Sequence, residues 1–193
     1  MLIGILLPAL SRAREQANRS ACAANLRSIL QANATYIHDR KRLATWSDTS
    51  FIAIWNGTDY VEYGQLIAEG TTDKRLFRCP SSWCGVFDDA AYGLDNVGVA
   101  GRTAVTFYAQ RGRIDGAPRT TVDMVQMKSL LFDLGGDVSF TVGGTPVTAN
   151  FRTHPGGVNA AYTDGHVSFI TGTFAVDPAN TPAVWAALDA ATQ

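Results

Sequence analysis

Across 193 residues this chain holds only three cysteines, three histidines and three methionines. Three cysteines cannot build a disulfide scaffold, because one bridge leaves an odd thiol. No two Cys or His pairs stand at the tight spacing of a zinc finger. No apolar run approaches the roughly 20 residues that span a bilayer. An excess of one charge is also missing: 16 Lys and Arg against 17 Asp and Glu leave a formal net charge of -1, which speaks against a general nucleic-acid partner. Internal repeats and low-complexity linkers are absent, as are the G-x-S-x-G, P-loop and dinucleotide-binding signatures. These absences remove solenoids, the common nucleotide enzymes and the α/β-hydrolase chemistry, and no catalytic residue is assigned.

What is present is a chain that is 46% hydrophobic and long enough to bury a core. Its length suits one domain with a long appended element: a helix over 1–40 and a globular sheet domain over 41–193. The helix begins with an apolar tip, "LIGILL", and turns amphipathic after Pro8. Leu10, Ala13, Ala17, Ala21 and Ala24 recur every three or four residues, and Leu26, Ile29 or Leu30, Asn33 and Ile37 extend the stripe. Most residues from Ala9 to Ala32 are good helix formers, so one helix over about 2–38 is expected, kinked near Pro8. The alanine face allows close approach of a sheet or another helix. The tip reads as the end of a longer apolar helix that starts before Met1. Arg12, Arg14, Arg19, Arg27, Arg40, Lys41 and Arg42 against only Glu15 and Asp39 make this segment basic, which suits a membrane surface or an anionic partner.

From Trp46 onward short β-like runs alternate with Gly, Asp, Asn and Pro. "SFIAIW" reads as a strand or short helix, "VEYGQLIAEG" as a helix ended by Gly70, and "RLFRCPSSWCGVF" as an irregular crossing. "RTAVTFYAQ" is a strand, "KSLLFDL" a central buried strand, and "DVSFTVGGTPVTANF" a hairpin turning at Gly143-Gly144. "NTPAVWAALDAATQ" is a helix capped by Asn180 or Thr181. A helix followed by mostly antiparallel strands gives an α+β fold: a long N-terminal helix packed on an antiparallel sheet, with a short C-terminal helix.

"VNAAYTDGHVSFIT" is a hairpin signal, with Asp164-Gly165 as a two-residue type I′ turn. That register sets Thr163 opposite His166, Tyr162 opposite Val167 and Ala160 opposite Phe169. Val158, Ala160, Tyr162, Val167 and Phe169 then share the core face, and Asn159, Thr163, His166 and Ser168 the polar one. His154, before Pro155-Gly156-Gly157, is left without a role in the hairpin. A contact from His154 to loop backbone or to Asp164, fastening 152–157 over the sheet, is expected. A metal reading gathers His154, His166, Asp164 and Asp133; a binding module on this polar face would hold a metal ion or a glycan. A hydrolase reading would use His154 as base. Calcium would draw on oxygens from "FDLGGD" and "YGLDN". Cys79 and Cys84, five apart across Pro80, can close a small bridge, stay as thiols or join a metal site.

Taken together, "LIGILLPALSRAREQANRSACAANLRSILQANATYIHD" and the motif His154, nine residues, Asp164-Gly165 resemble bacterial pseudopilins, most of all the large pilin-like family of planctomycetes and related bacteria. "LFRCPSS" at 76–82 resembles that family's Cys-Pro segment, and "LLFDL" at 130–134 its buried strand with a trailing Asp. The resemblance implies a non-enzymatic subunit of a type II secretion or type IV pilus-like envelope assembly. Leu2, Ile3, Ile5, Leu6, Leu7 and Leu10 would meet other pilin-like subunits, and an apolar segment before Met1 would anchor in the inner membrane. The globular part would lie in the periplasm or in an extracellular filament, which permits a Cys79–Cys84 bridge. It implies His154, Asp164 and Gly165 as a structural motif. No resident cofactor is implied, beyond the calcium that some pseudopilins hold in a C-terminal loop.

Overall fold

The computed structural model describes residues 3–44, 51–81, 83–84, 92–111, 113–114, 117–118, 129–134, 136–142, 145–174 and 181–191. Its first element is a single helix, α1 (Ile3–Arg40), which runs through Pro8 near its start. The strands β1 (Phe51–Trp55), β3 (Ala104–Gln110), β6 (Ser129–Asp133), β9 (Gly157–Tyr162) and β10 (Val167–Thr171) form a five-stranded sheet in the order β1-β3-β6-β9-β10. Every pairing in it is antiparallel. A second sheet, in the order β2-β8-β7, joins β2 (Trp83–Cys84), β7 (Gly136–Val142) and β8 (Thr145–Arg152). Two short strands, β4 (Arg113–Ile114) and β5 (Ala117–Pro118), pair with each other. A one-turn helix α2 (Gly64–Ala68) and a closing helix α3 (Thr181–Ala190) complete the expected α+β architecture.

The large sheet is covered on both faces, and this explains its sequence. Cys22, Leu26, Ile29, Leu30 and Tyr36 of α1 pack on one face with Tyr108, Leu131 and Ala161, and with Phe77 and Cys79 of the crossing segment. The other face packs Val105, Ala109, Phe132, Val158, Ala160 and Tyr162 against Val138 and Phe151 of the small sheet and Trp185 and Leu188 of α3. Strands β6 and β9 are therefore buried along their whole length. That is why "SLLFD" is a continuous apolar run instead of an alternating one.

Two expectations are corrected. The stripe expected on α1 holds only in its second half: Leu26, Ile29, Leu30 and Asn33 are buried, but Leu10, Ala13, Ala17, Ala21 and Ala24 are all exposed, so of the two partners open to the alanine face the sheet is not the one it meets. The helix enters the core along Glu15, Arg19, Cys22, Leu26, Ile29, Asn33 and Tyr36, roughly opposite at 100° per residue. Counting apolar residues favoured the alanines. The winning face carries the larger side chains, whose burial removes more area from water.

The last hairpin is also one residue out of the expected register. Val167 pairs with Ala161, Phe169 with Asn159 and Ile170 with Val158. Tyr162 N donates to His166 O at 3.0 Å and Gly165 N to Tyr162 O at 3.0 Å, so the loop has three residues, Thr163 to Gly165. Only Gly165 takes a positive φ, +91°, and Asp164 does not. This is the type I turn with a left-handed glycine, and not type I′. A one-residue slip exchanges the faces of a strand. Val167 and Phe169 consequently lie on the α1 side, and Ile170 joins Val158, Ala160 and Tyr162 on the other. The Gly143-Gly144 turn and Asn180 fall outside the described residues, though Val142 pairs with Thr145 as a two-residue loop requires.

Helix α3 is tied to the sheet by a buried ion pair. Arg111 Nη1 donates to both oxygens of Asp189, at 2.9 and 3.0 Å, and Asp189 Oδ1 also accepts from Ser129 N and Ser129 Oγ, each at 2.8 Å. Burial works against the carboxylate, but the Ser129 donors and the guanidinium outweigh it and hold Asp189 below its ordinary range. A carboxyl group lowered in the folded state stabilises the fold above its unfolded value, about 3.9, and loses that contribution as pH falls through the folded value. Replacing Asp189 with Ala removes the carboxylate partner of a buried guanidinium and should cost about 3 kcal/mol in urea unfolding at neutral pH. The gap to wild type should narrow as pH drops below about 4.

Candidate functional site

Four chemically active side chains meet where α1 crosses β6 and β9, and each arrives from a different segment. Cys22 lies on the buried face of α1. Cys79 follows the short 3-10 helix Lys74–Phe77. Asp133 ends β6, and His154 stands in the loop from β8 to β9, where Gly157 N reaches back to its carbonyl. Their donor atoms all lie within 4.8 Å of one another. Cys22, Cys79 and Asp133 are 0% exposed, and the His154 side chain is equally dry.

The contacts form a closed network. Cys22 Sγ donates to Asp133 Oδ1 at 2.9 Å and sits 3.3 Å from Tyr108 Oη. Asp133 Oδ2 accepts from Asn159 N at 2.9 Å and from Asn159 Nδ2 at 2.8 Å. His154 Nε2 lies 3.4 Å from both Cys79 Sγ and Asp133 Oδ2. On the far side of the ring, His154 Nδ1 meets Glu15 Oε1 at 2.6 Å, and Glu15 Oε2 accepts from Ser81 Oγ at 2.8 Å. One turn along α1, Arg19 lies 3.6 Å over the Phe169 ring and donates to the Pro155 carbonyl at 3.4 Å. Glu15, Arg19 and Cys22 thus present one polar helix face to the loop around His154.

Burial and charge shape the titration of this group. Burial, then the hydrogen bond with Cys79, raises the Cys22 thiol far above its ordinary range. Cys79 is pulled down to about 5, first by the hydrogen bond from Cys22 and then, against burial, by His154. Burial lowers His154, but hydrogen bonds to Cys79 and Glu15 overcome it and raise the ring to about 9. Asp133 is pushed up to about 7, by burial first and by Cys79 second. Without an ion the network is therefore a Cys79 thiolate beside a His154 imidazolium, with Cys22 as a thiol donor. Both sulfurs are sealed from solvent.

The structure divides the metal set expected from sequence. Asp133 and His154 belong to the cluster. Asp164 and His166 do not: they pair with each other at the exposed turn, with His166 Nδ1 2.6 Å from Asp164 Oδ1 and the His166 ring stacked on Tyr162. His154 contacts neither Asp164 nor a loop carbonyl in the way expected; its partners are Glu15 and Cys79, because the ring turns inward to α1. Cys79 is a free cysteine engaged with the cluster, so it is not bridged to Cys84, whose side chain lies outside the described residues. Of the oxygens expected for calcium, Asp133 belongs to this cluster, Asp95 pairs with Lys74 at 3.5 Å, and the side chain of Asp137 lies outside the described residues.

Glu15, Cys22, Asn159 and the inward role of Cys79 were missed. The available signal was the spacing Glu15, Arg19, Cys22, at i, i+4 and i+7, leading straight into the buried stripe Leu26 and Ile29. No protein-family model, curated protein or solved structure matches this chain.

Removing His154 leaves Glu15 and the Cys79 sulfur without their shared partner and opens a cavity. His154→Ala should cost about 3 kcal/mol in chemical unfolding. His166→Ala, at the partly exposed turn, should stay within about 1 kcal/mol of wild type, and equal losses for the two would contradict the assignment.

Proposed function

We propose that this protein is a non-enzymatic, pseudopilin-like subunit of a type II secretion or type IV pilus-like envelope assembly. The observation that carries this reading is the state of α1. Its backbone is helical from Ile3, yet residues 7–14 are exposed throughout, including Leu7 at 63% and Leu10 at 67%. Residues 7–14 extend about 12 Å beyond the packed part of the helix, at about 1.5 Å per residue. The stripe Leu7, Leu10, Ala13, Ala17, Ala21 and Ala24 then continues along the outer face, back to back with the face that grips the sheet. Small residues at helical spacing let a second helix approach closely. A helix with one face on its own sheet and an apolar outer stripe is built to join a bundle of like helices.

Leu2 lies outside the described residues, as do the side chains of Ile3, Ile5 and Leu6, so the assembly surface rests on Leu7, Leu10 and the alanines. Among the described residues no helix is long and apolar enough to cross a membrane. The exposed Arg12 and Arg14 would sit beside anionic headgroups or an acidic neighbour.

Site-specific cross-linking in the source cells tests the reading. A photoreactive residue at Leu10 or Ala17 should capture pilin-like helices or further copies of this chain, and one on the sheet-facing side, at Leu26, should capture none. Leu10→Glu should abolish the cross-links at Ala17. A chain that stays monomeric and uncrosslinked at both outer positions would refute the assembly role.

A further inference from the structure

We propose that Cys22, Cys79, Asp133 and His154 form a structural zinc site that fastens α1 to the sheet. This rests on the cluster geometry alone and stands apart from the assembly role. Two thiolates, an imidazole and a carboxylate are a donor set that zinc takes tetrahedrally. Zinc bonds of about 2.3 Å to sulfur and about 2.0–2.2 Å to nitrogen and oxygen place neighbouring donors about 3.3–3.8 Å apart. His154 Nε2 already stands 3.4 Å from both Cys79 Sγ and Asp133 Oδ2. Cys22 Sγ and Asp133 Oδ1, at 2.9 Å, are closer because a thiol proton links them; replacing that proton by an ion opens the pair by about half an ångström.

The surrounding groups are those a metal site needs. A ligating histidine commonly donates its other ring nitrogen to a carboxylate, which fixes the tautomer and aims the free lone pair at the ion. Glu15 occupies that position on His154 Nδ1, and Ser81 holds Glu15 in turn. Asn159 gives two donors to Asp133, and Tyr108 can turn its hydroxyl proton to the Cys22 sulfur. The plainer reading makes the cysteines small buried apolar groups. That reading gives no reason for two cysteines, an aspartate and a histidine from four separate segments to be taken out of water at one point, where each ionised group carries a desolvation cost. On binding, the Cys22 thiol proton and the His154 Nε2 proton leave to solvent, zinc takes two thiolates, one carboxylate and a neutral imidazole, and the site carries one negative charge. Helix, crossing segment, β6 and the motif loop are then joined at one point.

The test uses the untagged full chain, purified under reducing conditions, with zinc measured by plasma mass spectrometry and cobalt(II) as a spectroscopic substitute. One zinc per chain is expected, with sulfur-to-cobalt charge transfer and the intense visible bands of tetrahedral cobalt. Cys79→Ser should lose the charge-transfer intensity of one sulfur and most of the zinc. Glu15→Gln leaves all four ligands in place and should weaken zinc binding about 10–100-fold, which keeps the test decisive where Cys79→Ser fails to fold. His166→Ala should bind zinc as wild type does. Chelation should lower Tm by at least about 10 °C. The proposal is overturned by wild-type protein that takes up no zinc after reconstitution, by unchanged affinity in both Cys79→Ser and Glu15→Gln, or by a Cys22–Cys79 disulfide in protein handled anaerobically.

Discussion

The contact between His154 and α1 is the constraint on which the arrangement of this molecule turns. A helix face carrying Glu15, Arg19 and Cys22 cannot settle on an apolar sheet unless each polar group meets a partner, because burying an unpartnered charge costs several kcal/mol. The chain supplies those partners from far away: His154 and Ser81 for Glu15, Phe169 and the Pro155 carbonyl for Arg19, Asp133 and Tyr108 for Cys22. Each partnership fixes the helix in both rotation and height. Once that face is committed inward, the alanine face must point outward.

The glycines of the motif loop serve the same contact. A Cβ at Gly157 would overlap the Ile170 carbonyl and the Phe169 ring, so only glycine lets β9 begin this close to β10 and lets Phe169 lie under Arg19. The turn residues Asp164 and Gly165 act at the other end of β9. Gly165 supplies the left-handed residue and Asp164 accepts from His166 N at 3.1 Å, which sets the register of β10. The span from His154 to Gly165 is therefore a strand with both ends fixed: one end holds the helix, the other holds its neighbour.

Much of the architecture was legible in the sequence. Helical spacing, the apolar run "KSLLFDL" and the Gly-punctuated hairpins were enough for the long helix, the buried central strand and the antiparallel order. What failed did so for local physical reasons. Alanine spacing on α1 carries the right period but little buried area, so the first half of the expected stripe faces outward, while Leu26 and Ile29 of its second half lie in the core. Asp-Gly is compatible with both a two-residue and a three-residue loop, and the choice between them moved Val167 and Phe169 to the other face. The site was half visible. His154 and Asp133 stood out because the hairpin gave them no role. Cys22 and Cys79, 57 positions apart, carry no spacing signal, and only the fold brings their sulfurs together.

An exposed outer face and an inner face locked to the sheet are two consequences of one anchoring point. X-ray absorption at the zinc edge of the reconstituted full chain addresses that point most directly. The account predicts two sulfur scatterers at about 2.3 Å and two lighter scatterers at about 2.0 Å, the shell of Cys22, Cys79, His154 and Asp133. A shell of nitrogen and oxygen alone would mean that the two cysteines hold no ion, and would contradict it.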